Sequence, residues 1–327
     1  MRKKILVWLL ATVLLTTVPP AEAQQPAKIP KIGWLVAQAA SASAFRREEL
    51  QQAFREIGYI EGKNLAIEYR YGEDKFDRLP ALVDELVRLK VDVLVVSTTP
   101  AALAAKNATR TIPIVFLGVS DPVTAGLVDS LARPGENVTG VTNIAPLLAG
   151  KRLELLKETV PKLTRVAVLW DPRAPGSTQQ WKESQLPARE LGLQLHSMEV
   201  SSGDKYEGAF KEATKSRSGA LAVTQNPLAG SYQKLIADLA TKSRLPSIYA
   251  RGEFVENGGL MSYGPDQAEP YKRIAWMVDK ILKGAKPADI PVEQPMRFEM
   301  VLNFKTAKAL GLTFPPIVLM RATRVVK

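Results

Sequence analysis

The feature that most constrains the fold is a series of strand-like and helix-like segments that occurs twice. Four apolar, strand-like segments of the first series return in the second, each about 130 residues further along. The eight segments are 32–36, 65–69, 93–98, 112–116, 166–170, 193–197, 220–225 and 245–249. Strands that alternate with helices of about 10–15 residues form parallel sheets with right-handed crossovers. The duplication therefore predicts two α/β lobes with parallel sheets and a small-ligand cleft between them.

The first 23 residues have the layout of an export signal. Basic residues at 2–4 precede an apolar run of 14 residues at 5–18, shorter than the roughly 20 that a membrane-spanning helix needs. Ala21 and Ala23 supply the small residues of a cleavage site. We expect a signal peptide at 1–23 and a mature protein that is periplasmic or secreted. A membrane anchor is the weaker alternative.

The residue types needed for many enzymes and metal sites are missing. The chain has no cysteine, which excludes disulfides, thiolate nucleophiles and a lipidated N-terminal cysteine. Its one histidine, His196, falls within a predicted strand, so neither a Ser-His-Asp triad nor a His-rich metal site is expected. No glycine-rich nucleotide loop occurs. We predict no metal, no cofactor and no enzymatic activity. A carboxylate pair such as Asp121 with Asp171 is the remaining enzymatic alternative.

The charge pattern bears on the partners. The net charge is +11, or +9 once residues 1–23 are removed. Basic residues are scattered among acidic ones rather than clustered with aromatics, so nucleic acid is not expected as a partner. About 300 mature residues suffice for two domains of roughly 150 each. We expect a basic, monomeric protein whose partner is a small-molecule solute.

Periodicity predicts the individual elements of the first lobe. Strands are expected at 31–37, 65–71, 91–97, 114–117 and 137–142, and helices at 45–58, 76–89, 100–108 and 124–132. A helix at 149–159 leads into the second series.

The tail after residue 258 fits neither copy of the series. It contains strand patterns at 260–263 and 298–303 and a helix pattern at 268–282. We expect it to return to the first lobe and then to the second, which with the passage near 142–150 makes three hinge crossings. The predicted lobes are 24–143 plus about 265–290 for lobe 1, and 144–264 plus about 291–327 for lobe 2.

Polar residues follow the strands at the sheet edge where open parallel sheets bind ligands. Ser97, Thr98 and Thr99 precede a helix opened by Pro100, and their hydroxyls with the free N–H groups of that helix suit a carboxylate. As an alternative, Thr99 only caps the helix. Asp121 follows the fourth strand, where it meets a ligand ammonium group or merely caps the next helix.

Further candidates stand at matching places. Gln38 and Ser41 follow the first strand of lobe 1. In lobe 2 the corresponding residues are Asp171, Ser177, Asn226 and Tyr249. Tyr249 offers a stacking face and a hydroxyl, and a core position is its equally strong alternative.

Six runs closely resemble the extracytoplasmic substrate-binding proteins of ABC transporters, in the tryptophan/tyrosine-type branch. They are 99–106, 121–123, 133–141, 258–264, 281–295 and 306–312, within a match over nearly the whole mature chain. The resemblance implies an α/β fold of two Rossmann-like lobes with parallel sheets, the periplasmic-binding-protein type I fold with three hinge crossovers. It also implies delivery of one solute to an ABC permease and its ATPase in the inner membrane.

The resemblance also bears on the site. It implies that residues 97–99 and Asp121 face the cleft from lobe 1, while Asn226, Tyr249 and Ser262 meet the ligand from lobe 2 or the hinge. Two residues depart from the family pattern. Thr98 stands where relatives often carry glycine, which narrows the room for a ligand headgroup. Leu228 stands where relatives often carry an aromatic residue, which weakens the case for an aromatic amino acid.

These observations favour an extracytoplasmic solute-binding protein that captures a small polar ligand, an amino acid or related small carboxylate, for an ABC importer. For a zwitterion, the hydroxyl loop would take the carboxylate and Asp121 the ammonium group. The alternative is a sensory ligand-binding module that presents its bound state to a signalling receptor.

Overall fold

The computed structural model describes residues 28–266 and 268–327, so the predicted signal peptide lies outside the described residues. Strands β1 to β12 are Lys31–Val36, Ala66–Tyr71, Val93–Ser97, Ile114–Val119, Val138–Thr142, Arg165–Trp170, Gln194–Glu199, Ala220–Val223, Ser247–Tyr249, Met261–Pro265, Phe298–Asn303 and Arg324–Val326. Helices α1 to α12 are Ala44–Glu56, Leu79–Arg88, Thr99–Ala108, Ala149–Thr159, Pro175–Glu190, Tyr206–Lys215, Pro227–Ser231, Gln233–Lys242, Glu253–Glu256, Glu269–Leu282, Phe304–Leu310 and Pro316–Arg321. None of the described helices is both long and apolar enough to cross a bilayer.

The strands form two sheets with the same internal order. The first sheet is β2-β1-β3-β4-β5, with every pair parallel. Starting from its β7 edge, the second sheet runs β7-β6-β8-β9-β10 and then adds β11 and β12. Its pairs are parallel except β10 with β11. The predicted pair of α/β lobes with mostly parallel sheets is confirmed, and the sequence repeat corresponds to a repeat of strand order.

The position of β10 corrects the sequence interpretation of the tail. The chain after residue 258 was expected to lie outside both copies, but β10 holds the fifth place in its sheet, as β5 does in the first. The equivalence of β5 and β10 is not visible in the sequence, because these two strands are not separated by the same number of residues as the other pairs. The connection from β9 to β10 is shorter than that from β4 to β5, so the fifth strands do not share the spacing of the other four.

The helix predicted at 124–132 is wrong, because the structure forms turns there. Gly126 adopts a φ of +69°, a left-handed conformation that interrupts a helix, and the Asp121 carboxylate accepts a hydrogen bond from the Thr124 N–H. Leu127 and Val128 are nevertheless buried in the core. The apolar spacing at 124–132 therefore reflects the burial of these side chains and not a helix.

Both sheets are covered on two faces, and the tail helix α10 belongs to the cover of the first. On one face of that sheet, α10 packs together with α1 through side chains that include Leu50, Phe54, Ile274 and Val278. Helices α2 and α3 cover the opposite face. Since β10 and β11 are in the second sheet, the chain leaves that sheet for α10 and returns to it afterwards.

The passages between the two sheets run side by side. The first follows β5, the second joins β10 to α10, and the third precedes β11. The Thr142 N–H donates to the Glu293 carbonyl at 2.8 Å, and the Asp266 N–H donates to the Arg297 carbonyl at 2.9 Å. These two hydrogen bonds join the first and second passages to the third. The lobe boundaries at 143 and near 265 and 290 stay predictions.

Candidate functional site

A cavity of about 140 Å³ lies between the two sheets, beyond the carboxyl ends of their strands. From the first lobe it is lined by residues after β1, β3, β4 and β5, and from the second by residues after β6, β8 and β9. Six of the predicted site residues line it: Gln38, Ser97, Thr98, Thr99, Ser177 and Asn226. Residues that follow the carboxyl ends of parallel strands in both series therefore meet at this one cavity.

The wall contributed by the first lobe carries polar atoms that the protein itself does not satisfy. Gln38 Oε1, Ser97 Oγ and Thr98 Oγ1 are buried and have no hydrogen-bond partner among the described residues. A buried polar group without a partner costs about 1–3 kcal/mol. A ligand that hydrogen-bonds these oxygens would recover that free energy on binding.

Thr98 has an unusual backbone. Its φ of +83° and ψ of +154° fall in a region populated almost only by glycine, at a cost of about 1–3 kcal/mol for other residues. The surrounding chain holds it there, since its N–H donates to the Leu117 carbonyl and its carbonyl accepts from the Ala102 N–H. The threonine side chain occupies cavity space that glycine would leave open.

The polar side chains that follow β6 and β8 on the wall of the second lobe are satisfied internally. Ser177 Oγ accepts from the Asp171 N–H at 2.9 Å and lies 2.7 Å from Thr224 Oγ1. Asn226 caps α7 by accepting from the Ala229 N–H, while its amide donates to the Thr224 carbonyl. Gln180 donates to the Gln225 carbonyl and accepts from the Gln225 N–H. These bonds shape the wall before any ligand arrives.

The other five predicted site residues do not line the cavity. Ser41 is exposed, and the Asp121 carboxylate is used within its own turn. Asp171 is buried and forms a two-point ion pair with Arg173. Tyr249 is fully buried with its ring stacked on Phe254 at 4.6 Å, as its core alternative required. Ser262 is buried within β10.

Sequence reasoning missed a group of charges defined here as the Arg46 cluster: Arg46 and Glu253, which are buried, and Arg251, which is half-buried. Both arginines line the cavity, Arg46 from α1 in the first lobe and Arg251 from the end of β9 in the second. Arg251 Nη2 donates to Glu253 Oε1 at 2.5 Å, and Arg46 Nη2 lies 3.9 Å from Glu253 Oε2. The available signal was the closely spaced Arg251 and Glu253 after a buried strand. Arg46 resembles any surface residue of an amphipathic helix.

Each charge of the Arg46 cluster alters the others. Burial, followed by repulsion from Arg251, lowers the pKa of Arg46. Burial works against ionisation of Glu253, but Arg251 and Arg46 outweigh it and hold the pKa of Glu253 at about 2. The cluster therefore carries two cations and one anion at neutral pH, since arginine does not lose its proton in proteins.

The two lobes touch across the mouth of the cavity. Ser231 of lobe 2 donates a hydrogen bond to Asp74 Oδ1 of lobe 1 at 2.9 Å. Burial at this contact raises the pKa of Asp74 to about 6. A methyl group added at Gly230 would come within 3.0 Å of Gln38 Nε2, which shows how closely the walls approach. The lobes are closed over the cavity.

A family model described as ABC transporter substrate binding protein matches residues 35–326. This chain belongs to that family. The family is a component of transporters, acts outside the cytoplasm, and is not a family of enzymes. A curated relative, the tyrosine-binding protein of Clostridioides difficile, is 28% identical over 261 residues, which are 80% of this chain and 75% of the relative.

Two solved structures of relatives bear on the lobe arrangement. The first is a domain of an ABC protein from Streptococcus pneumonia in complex with L-Trp, 29% identical, with a TM-score of 0.83 over 91% of this chain and 99% of that one. The second is a ligand-free, open substrate-binding protein from Clostridium difficile, 27% identical, with a TM-score of 0.66 over 91% of this chain and 100% of the other. At nearly equal identity, this chain superposes better on the liganded relative, in keeping with its closed lobes. The two-lobe periplasmic-binding type I fold is confirmed.

Proposed function

We propose that this protein captures a small carboxylate-bearing solute, an amino acid or a related small acid, and delivers it to an ABC importer. The observation that carries the proposal is the closed cavity between the lobes, in which buried polar atoms of the first lobe, the buried Arg46 and the half-buried Arg251 are left for a ligand. Family membership supplies the transport role.

The size of the cavity limits the solute. A cavity of about 140 Å³ is close to the roughly 150 Å³ of an engineered protein cavity that accepts benzene. A short amino acid or small acid of similar volume suits this space. A tryptophan side chain with its amino-acid headgroup needs more room, so binding of the ligands named for the relatives would require the lobes to part further.

Residue 98 supports the preference for a small ligand. The threonine side chain stands at the cavity wall, where a glycine would leave more space. The other departure from the family pattern, Leu228, does not affect the space in the cavity. Leu228 is packed in the core of the second lobe and does not line the cavity, so its identity bears on packing rather than on direct ligand contact.

The proposed cycle uses the hinge and two partner proteins. An open form in the periplasm or outside the cell admits the solute, rotation about the three connections closes the lobes, and the closed monomer docks on a membrane permease driven by its ATPase. In this closed arrangement Ser231 of lobe 2 is hydrogen-bonded to Asp74 of lobe 1, and Gly230 approaches Gln38 closely. These contacts support closure as the signal that distinguishes the loaded protein.

A thermal-shift panel tests the proposal with the mature chain. The panel contains the twenty common amino acids, short mono- and dicarboxylic acids and, as neutral controls, ribose and glucose. A matched solute at 100 times its Kd stabilises the folded protein by about 2.7 kcal/mol and raises Tm. A rise with ribose or glucose and with none of the acids would sink the proposed ligand class. Conversion of a bound solute to a product would contradict the transport role.

A further inference from the structure

The Arg46 cluster contains more positive than negative charge. Arg46 is only 4% exposed and Glu253 only 8% exposed, so bulk water solvates their charges less well than it solvates the charge of a surface residue. An uncompensated charge inside a protein is costly. In the free protein the Arg46 cluster therefore carries an excess positive charge in a poorly solvated place.

Glu253 does not complete it, because both of its oxygens are already used within the second lobe. Oε1 accepts from Arg251 Nη2, and Oε2 accepts from Gln233 Nε2 at 2.7 Å. Arg46 reaches Oε2 only at 3.9 Å, beyond hydrogen-bond distance. Arg46 keeps one protein contact, from Nη1 to the Ala42 carbonyl at 3.1 Å.

Two guanidinium N–H groups remain open to another partner. Arg46 Nη2 and Arg251 Nε are buried and find no hydrogen-bond acceptor among residues 28–266 and 268–327. Both arginines line the cavity, one from each lobe. Guanidinium groups favour carboxylates and phosphates, because their fork of donors matches two oxygen atoms of such groups.

Neighbouring carboxylates do not fill this role. Asp74 is hydrogen-bonded to Ser231. Asp266, which also lines the cavity, accepts from the Ala268 and Glu269 N–H groups at the start of α10. Glu299 lies near Arg324 and Gly252, and its buried Oε1 has no hydrogen-bond partner among the described residues. None of these carboxylates accepts a hydrogen bond from Arg46 within the described chain.

We infer that Arg46 and Arg251 form an anion subsite, in which an anionic group of the solute is held between the two lobes. This inference rests on the proposed function only in placing the solute in this cavity. It differs from the expectation drawn from the sequence, which assigned the carboxylate to the hydroxyl loop at 97–99. That loop is then left for neutral polar groups of the solute.

The subsite couples binding to closure. Closing the lobes brings Arg46 toward Arg251, and two like charges in a poorly solvated place repel each other. An anion between them turns this repulsion into attraction on both sides. The empty protein is thus biased against closing, and the solute supplies the charge that closure lacks.

The test uses Arg46→Gln, because Arg251 also holds Glu253 and its removal would disturb more than the subsite. The control is Arg47→Gln, which removes the same charge from the exposed neighbouring position of α1. Calorimetry compares acids with their neutral amides: L-alanine with L-alaninamide, L-leucine with L-leucinamide, and propionate with propionamide. Inorganic phosphate and sulfate form a separate arm, which distinguishes a carboxylate site from a phosphate site.

In the wild-type protein at least one acid or inorganic anion binds, and acids bind more tightly than their amides. Arg46→Gln weakens binding of that anion by about 10- to 100-fold and reduces the preference over the amide, while Arg47→Gln changes neither by more than about twofold. Equal binding of acid and amide to the wild-type protein overturns the inference without any variant. So does an unchanged preference in a folded Arg46→Gln protein.

Failure of the proposed function gives a different result. If no amino acid binds but propionate, phosphate or sulfate does so in an Arg46-dependent manner, the subsite stands and the amino-acid ligand class falls. If amino acids bind with no dependence on Arg46 or on their carboxylate, the transport proposal stands and the subsite falls. If no anion of either arm binds the wild-type protein, the subsite is rejected.

Discussion

Equivalent strand ends form the two walls of the cleft, but the hydrogen bonding of the polar side chains differs between the walls. In the second lobe, Ser177, Thr224 and Asn226 are hydrogen-bonded to one another and to the backbone. In the first lobe, Gln38 Oε1, Ser97 Oγ and Thr98 Oγ1 are buried without partners among the described residues. The hydrogen bonds of Ser177, Thr224 and Asn226 are thus made within the protein, whereas the open oxygens of the first wall are paired only when a solute binds.

This difference separates the roles of similar residues. A polar side chain that is satisfied within the protein contributes to folding, and its loss leaves buried partners unpaired. A buried polar side chain left without a partner costs free energy on folding until something binds. Substitutions on the second wall should therefore lower stability, and substitutions on the first wall should lower affinity.

The largest effect is expected at Gln180 of the second wall. Its side chain bonds Arg152 Nη2 as well as the backbone of Gly176 and Gln225. Burial lowers the pKa of Arg152 to about 10, which marks how poorly solvated this group is. Gln180→Ala should lower the free energy of unfolding by about 2–4 kcal/mol in urea denaturation. Gln185→Ala in the same helix, with one bond to its own backbone, should cost less than about 1 kcal/mol.

The next test exchanges the same side chain on the two walls. Ser177→Ala should lower the free energy of unfolding by about 1–3 kcal/mol, because it leaves the buried Asp171 N–H without its acceptor and removes one of the hydrogen bonds of Thr224. Ser97→Ala should not lower that free energy, because it removes a buried hydroxyl whose lack of a partner costs about 1–3 kcal/mol, and it should weaken solute binding by about 2- to 10-fold. Equal stability losses for both variants would erase the distinction between the walls.

Thr98→Gly should raise stability slightly and widen the range of ligands, which is the opposite of the effect expected from a typical substitution in a binding site. Relief of about 1–3 kcal/mol of backbone strain outweighs the roughly 0.5–1 kcal/mol entropic penalty of glycine, so Tm should rise slightly. The enlarged cavity should admit longer amino acids in the thermal-shift panel. A fall in Tm together with an unchanged ligand range would show that Thr98 is neither strained nor limiting.

The smallest effect is a pH dependence from Asp74 at the contact between the walls. Its pKa of about 6 lies above its ordinary value near 4, so the folded protein binds more protons than the unfolded chain between these pH values. Stability contributed by this group therefore rises as the pH falls from 7 to 5, weakly because Asp74 is partly solvated. Glu253, with a pKa of about 2, stays ionised over this range.

Denaturation of wild type and Asp74→Asn at pH 7 and pH 5 isolates this contribution. The amide of the variant keeps a hydrogen-bond acceptor for Ser231 but does not titrate. The difference in unfolding free energy between the two proteins should shrink or reverse in favour of wild type as the pH falls. A difference that is the same at both pH values would contradict the assignment to Asp74.

The sequence predicted what depends on regular patterns. Strand-end logic brought Ser97, Thr98, Ser177 and Asn226 to one cavity, because parallel strands end at a common edge. Tertiary packing decided what the pattern left open or misjudged: Tyr249 takes its core alternative against Phe254, and Leu127 is buried without the predicted helix. Arg46 had no local signal, because its burial arises from contact with the other lobe.

We expect one small anionic solute to pair with the open oxygens of the first wall and with the Arg46 cluster. Native mass spectrometry of the mature protein, purified without denaturation, measures this directly, with the released molecule then identified from its exact mass and fragments. We predict one solute per chain, carrying a carboxylate or another anionic group, and its loss from Arg46→Gln but not from Arg47→Gln. A stoichiometric solute without any anionic group, retained equally by both variants, would contradict the account.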